Sequence, residues 1–332
     1  MDPHQRTRRC TLARLAALGL AVAAPAARAQ APASAAPADV VRWLIGFAAG
    51  GGTDAIARVL IEPMSRRLGV PIVIENRPGA NGLLAMEELR RSRPDGRTLL
   101  VSGTGTLVML PHIQKVPFDL HRDVTALGMV SRYPLVAVTP AATQVQTLAA
   151  FVAYAKSRPG RLAYSSSGIG AADHFAGELL KQETGIDLVH TPYKSAAAAL
   201  PDLLEGRVVF HLMNIQVALP MIQSGRLVAL AVTGPARAPE LPQVPTVAEA
   251  GFARVGIAPW IALIGPAGLA SERVRAVNAA LNETLADPLI RKRLSELGHD
   301  TLAGSPQDAR QHIEAESERF RRVAASAGIR AE

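Results

Sequence analysis

The chain has 332 residues, 48% of them apolar, a single cysteine and a formal net charge of +8. That length buries a large core and favours two domains over one. The excess of basic residues is not gathered into runs or interleaved with aromatics, which excludes a nucleic-acid surface, and one cysteine at position 10 excludes disulfides and thiolate metal sites.

Residues 1–29 read as an export signal: Arg6, Arg8 and Arg9 form a basic start, an Ala/Leu stretch covers 15–27, and Ala27-Arg28-Ala29 is a small-x-small cleavage site. Cleavage removes five arginines and one aspartate, so 31 basic and 27 acidic residues remain and the charge falls to +4. The product is expected to be a periplasmic monomer. Residues 30–38, rich in Ala and Pro, read as a disordered lead-in.

Beyond the lead-in, short apolar runs alternate with helical patterns: a strand over 40–47 and a helix over 54–68, a strand over 72–75 and a helix over 83–92, then a strand over 98–102. Such alternation predicts an α/β fold with a parallel sheet. Pro63 predicts a kink or break near 59–62. The plan repeats with a helix over 148–157, strand 162–165, helix 172–184, strand 187–190, helix 196–205 and strand 208–213, and the last third adds a strand over 260–264 and helices over 271–286, 288–297 and 306–324. Two similar runs, 135–139 and 230–233, bracket the repeat. Paired as crossing strands, they make 139–233 an insertion into a discontinuous first domain of 39–138 and 234–332. The expected architecture is two parallel-sheet-based lobes joined by two crossing strands with a central cleft, which closes by hinge motion.

The turn Gly50-Gly51-Gly52-Thr53-Asp54 lies between the first strand and the first helix. A glycine-rich turn feeding a helix start aims unpaired N–H groups at one point, at the positive end of the helix dipole, and so holds anions. Two more strand-to-helix corners, 168–172 and 191–195, read the same way. A competing reading takes Gly50 to Ala55 as G-x-G-x-x-A, with Glu75 as the ribose acid of a dinucleotide-binding enzyme. Export argues against it, because nicotinamide cofactors are not ordinarily supplied outside the cytoplasm. No nucleophile elbow, His-x-x-x-His pair or close carboxylate dyad offers a seat for catalysis or a metal. Trp260, after Pro259, is expected to wall the cleft.

The stretches Phe47 to Asp54, Glu75-Asn76-Arg77-Pro78-Gly79, Ser165 to Gly170, His190-Thr191-Pro192-Tyr193-Lys194 and Pro245 to Gly251 resemble the Bug-type receptors of tripartite tricarboxylate transport systems. The resemblance runs from about residue 40 to the C-terminus. It implies an α/β two-lobe periplasmic-binding-protein fold (type II-like) and a periplasmic solute-binding protein without enzymatic activity or cofactor, which holds a small organic acid and hands it to a membrane permease or a signalling partner. Carried over residue by residue, it assigns ligand contacts to Phe47, Ala48, Gly52, Thr53, Asp54, Thr104 and Thr106 in the first lobe. In the inserted lobe it assigns Ser165, Ser166, Gly168, Ala171, His174, Tyr193, Lys194 and Asn214. Met213 stands where relatives commonly have an aspartate suited to a ligand ammonium. That departure predicts an acid with an apolar body rather than an amino acid, shaped by Phe47, Met213 and Trp260.

Overall fold

The computed structural model describes residues 40–330, so the expected export signal and lead-in lie outside the described residues. The chain runs β1 (Val41–Ile45), α1 (Gly52–Leu68), β2 (Ile72–Asn76), α2 (Leu83–Arg91), β3 (Thr98–Gly103), α3 (Leu120–Asp123) and β4 (Val124–Arg132). Next come β5 (Leu135–Pro140), α4 (Leu148–Lys156), β6 (Leu162–Ser166), α5 (Ala172–Thr184), β7 (Leu188–Pro192), α6 (Ala196–Leu204), β8 (Phe210–Asn214), α7 (Ile215–Gln223) and β9 (Leu227–Val232). The last part holds β10 (Trp260–Pro266), α8 (Ser271–Ala286), α9 (Pro288–Glu296), β11 (Asp300–Thr301) and α10 (Pro306–Ala327).

Helix α1 forms because Ile56, Ala57, Leu60 and Met64 share one buried face, and it stops at Gly69, whose φ of 67° is left-handed. It runs unbroken through Pro63, which is itself buried, so the expected break does not occur.

The strands assemble into two sheets, in the orders β11-β4-β10-β3-β1-β2 and β7-β6-β8-β5-β9. The parallel units are β2-β1-β3 in one and β7-β6-β8 in the other. Antiparallel strands extend each of them: β10, β4 and β11 on the first, β5 and β9 on the second. The two runs expected to cross together do lie side by side, as β5 and β9 with Val136 opposite Val232. Leu135 and Thr233 lock this pair, since Thr233 N donates to Leu135 O at 2.8 Å and Leu135 N to Thr233 Oγ1 at 2.9 Å. β5 belongs wholly to the second sheet, which moves the first crossing from Val138 back to Tyr133-Pro134.

Each sheet is covered on both faces, as parallel strands demand. One cluster packs α1, α8 and α9 on the first sheet through Trp43, Ile56, Leu281 and Leu294, and another packs α6 and α7 on the second through Val136, Leu203 and Ala218. The largest cluster runs through both lobes, from Leu44 and Leu100 by way of Phe320 on α10 to Phe175 on α5 and Phe210 on β8. Phe175 meets Phe320 edge-on at 5.4 Å. The parallel strands therefore deliver two loop sets: 46–51, 77–82 and 104–113 from one lobe, 167–171 and 193–195 from the other. In open α/β sheets, ligands bind beyond such carboxyl ends.

Candidate anion-binding site

The first loop is built around Asp54. Gly50, at φ 81°, turns its N–H onto Asp54 Oδ2 at 2.9 Å. The same carboxylate receives Arg58 Nε at 2.7 Å and Asn76 Nδ2 at 3.0 Å, and Asn76 also donates to Phe47 O at 3.0 Å. The Arg58 hydrogen bond, helped by Gly50 and Asn76, holds the Asp54 carboxyl down at about 2 against the cost of burial. Asp54 is 1% exposed, so it shapes the loop and offers no free carboxylate to a ligand. What the loop does leave open is the helix start: Gly51 is an extended N-cap without a side-chain bond. The first N–H groups of α1, on Gly52, Thr53 and Asp54, have no intrahelical acceptor and no other partner among the described residues. Ala48 serves the turn, accepting Gly51 N at 3.2 Å, and Phe47 stands 40% exposed at its tip.

The second loop is more heavily braced. Asp173, in the first turn of α5, takes Ser167 N at 2.7 Å, Ser167 Oγ at 2.6 Å, His174 N at 2.9 Å and His211 Nε2 at 3.0 Å. His211 Nδ1 lies 2.8 Å from Ser165 Oγ. Ser166 Oγ meets His190 Nε2 at 2.7 Å and accepts Gly168 N at 3.2 Å, while Gly170 N donates to His174 Nδ1 at 3.1 Å. The His174 and His190 rings stack at 3.9 Å with 6° between planes, and burial depresses both, His190 to about 4. The Ser167, Gly168 and Gly170 amides expected to meet an anion are thus engaged within the chain. Ala171, like Gly51, is an extended N-cap with no side-chain bond, and the N–H groups of Ala172 and Asp173 have no partner among the described residues. Ile169, 36% exposed, is the apolar tip of this loop, and a Cβ on Gly170 would sit 2.3 Å from Ile113 Cδ1 of the first lobe. The loop sets of the two lobes touch there.

The third corner is closed. Ser195 Oγ accepts Ala198 N at 3.2 Å and caps α6, Tyr193 OH donates to Asp202 and its N–H to Ser166 O at 2.9 Å, and Lys194 stands exposed. Burial, with Asp202 beside it, raises Tyr193 to about 12. It is a helix cap, not an anion corner.

The other residues assigned from sequence are taken up by the fold. Thr104 Oγ1 accepts Trp260 N at 2.7 Å and Thr106 Oγ1 donates to Asn81 O at 2.8 Å, so both threonines are buried braces between loops. Trp260 is 1% exposed, its ring edge-on to His312 at 5.6 Å, and its indole N–H has no partner among the described residues. Met213, also 1% exposed, lies in the core with Val136 and Leu203, and Asn214 caps α7 through Gln216 N at 2.9 Å. Neither Trp260 nor Met213 walls a cleft here; full burial against their own sheets removes them from it. Glu75, the acid of the dinucleotide reading, is held by Arg42 at 2.6 and 2.7 Å and by Arg77 at 2.9 Å, so its carboxylate is committed to two guanidinium groups. The reading from sequence missed Asn76 as the link between Phe47 and Asp54, Ile169 as an apolar tip, and His190 and His211 as loop braces. Only the position of Asn76 at a strand end pointed to any of these.

A family model described as "Tripartite tricarboxylate transporter family receptor" matches residues 56–329. The chain belongs to that family. Among curated relatives, Protein BugT of Bordetella pertussis (strain Tohama I) is 32% identical over 318 residues, covering 95% of this chain and 98% of the relative. Among solved structures, R. palustris Rpa4515 with adipate shares 32% identity at a TM-score of 0.77, over 87% of this chain and 97% of that one. MatC (Rpa3494) from Rhodopseudomonas palustris with bound malate shares 29% identity at a TM-score of 0.73, over 86% and 98%. Tricarboxylate transporter receptors are solute-binding proteins, so this chain shares a receptor fold whose family implies export.

Proposed function

We propose that this protein is a periplasmic receptor that captures a small organic carboxylate between its lobes and presents it to a membrane permease. The observation that carries this reading is that α1 and α5, one from each lobe, start at the ends of parallel strands with extended N-caps and no capping side chain. Helices α6, α7, α9 and α10 are each closed by their own Ser, Asn or Asp; α2 and α8 also lack a capping side chain, but α2 starts from a left-handed Gly82 and α8 follows the antiparallel β10. The contacts between ligand and chain are then the N–H groups of Gly52, Thr53, Ala172 and Asp173, with Phe47 and Ile169 against the apolar body. The adipate and malate held by the two solved relatives support a dicarboxylate.

An amino acid is disfavoured on different grounds from those the sequence suggested. Asp54 and Asp173, the carboxylates nearest the two helix starts, are each saturated with donors and cannot serve an ammonium group. Micromolar binding needs about 8 kcal/mol. Four bonds to a charged acceptor at about 1.5 to 3 kcal/mol each give about 6 to 12 kcal/mol, so burial of the apolar body against Phe47 and Ile169 is needed as well to offset ordering costs.

Calorimetry and thermal shift with adipate, malate and glutamate test the proposal. One dicarboxylate at a hundredfold excess over its Kd should add about 2.7 kcal/mol of stability, and glutamate should add none. Gly52→Pro and Ala172→Pro each delete one N–H at a first helical position whose preceding residue is already extended, so each helix is kept. Each is expected to weaken binding about tenfold or more. Unchanged affinity in both variants would refute the helix-start site, and stabilisation by NAD alone would refute the receptor reading.

A further inference from the structure

Beneath the α5 start lies a buried chain of three side chains with no role in the fold's apolar core. Ser165 and His211 are 0% exposed and Asp173 is 5% exposed, and they are linked in that order at 2.8 and 3.0 Å. Both Asp173 oxygens receive obligatory backbone donors, Ser167 N on one and His174 N on the other. This is the bonding pattern of an ionised acid. His211 therefore carries its proton on Nε2, facing Asp173, and when neutral its Nδ1 accepts from Ser165. In that state the first turn of α5 already holds one buried negative charge, in the turn where the ligand's carboxylate is to be received. Two like charges at one helix start oppose each other.

A proton on His211 Nδ1 removes the conflict. The Asp173 to His211 pair becomes neutral overall, and the new N–H donates to Ser165 Oγ. Resting on the receptor reading above, we infer that capture of the organic acid is coupled to uptake of one proton by His211. The protein then binds its ligand as an anion together with H⁺, and Asp173 is what imposes that coupling.

The neighbouring groups leave His211 as the responsive one. On α5, burial lowers the pKa of His174, and its Nδ1 is committed as acceptor to Gly170; Glu178 is bound to Tyr164 OH of β6 and to Lys181. On β7, His190 titrates only near 4. Tyr133, at the crossing between lobes, is raised to about 12 by burial and the Asp173 charge and stays neutral. On the opposite face of the second sheet, Asp202 of α6 is occupied by Tyr193 and Arg207.

The experiment is adipate binding by calorimetry between about pH 6.5 and 8.5, in buffers of different ionisation enthalpy, on the wild type, His211→Gln and Asp173→Asn. The wild type should take up a proton on binding, with affinity rising toward about tenfold per pH unit as pH falls. His211→Gln should lose both the buffer dependence and the pH slope. Asp173→Asn sets an amide N–H against the backbone donor of Ser167 or His174, so it should weaken binding at every pH, and it should also lose the slope because the charge that imposes the coupling is gone, whereas a purely structural role for Asp173 predicts weakening with the wild-type slope retained. Adipate binding with no proton uptake and a flat profile in the wild type would overturn the inference while leaving the receptor reading intact. Failure of adipate, malate and succinate to bind at any pH would overturn both.

Discussion

Asp54→Asn is the sharpest test of whether the first loop is held by its own carboxylate. Held at about 2, the Asp54 carboxyl lies below its ordinary value of 3.8, a difference worth about 2.5 kcal/mol. Arg58, the leading cause, is 54% exposed on its side chain, so solvent screening reduces this to about 1.5 kcal/mol. Because the folded value is depressed, the contribution is complete above the unfolded value and is lost as pH falls through the folded one. The expected result is a loss of about 1.5 kcal/mol at pH 7 in urea unfolding, and about half that difference near pH 3. Arg58→Met should show a similar loss, and the double variant less than the sum, because the two groups share one interaction. A variant as stable as the wild type at pH 7, or a deficit that persists undiminished in acid, would refute the account of Asp54 as the centre of the loop.

Three other outcomes follow from the contacts around the loops. Ser195→Ala should cost about 1 kcal/mol, the worth of an N-cap, and leave acid binding unchanged, since that corner only caps α6; calorimetry and unfolding together check this. Gly170→Ala meets Ile113 at 2.3 Å in a left-handed position, φ 80°, and should hold the lobes apart, with a larger radius in small-angle scattering and weaker acid binding. Adding Ile113→Ala should restore part of both. Trp260→Phe should stay within about 1 kcal/mol of the wild type, because losing an unpaired buried N–H recovers about 1 to 3 kcal/mol against the smaller ring, and acid titration should be unaffected.

Much of the fold was legible because it is local. The expected helices over 172–184 and 271–286 appear as Ala172–Thr184 and Ser271–Ala286, since amphipathic spacing and flanking breakers act within a few residues. β4 was not anticipated: its Leu127 to Ser131 are buried without alternation, and such a run reads equally as helix or strand. α7 was hidden by Pro220 inside an apolar run. The place of β10 in the sheet was illegible for another reason. β10 enters the first sheet between β3 and β4, and Thr104 bonds Trp260 across a separation of 156 residues, which no local pattern encodes.

By itself the sequence determined the alternation of elements, the glycine turns before α1 and α5, and the family, since each depends on residue type at short spacing. Only the tertiary structure decided which helix starts are open. Whether an N–H is free depends on side chains that fold back onto it: Asp54 and His174 from within their own helices, Ser195 beside α6, His211 from another strand through Asp173. The same packing withdrew Met213 and Trp260 from any cleft, because a strand residue's face is set by register, and register is fixed by the neighbouring strand rather than by the residue itself.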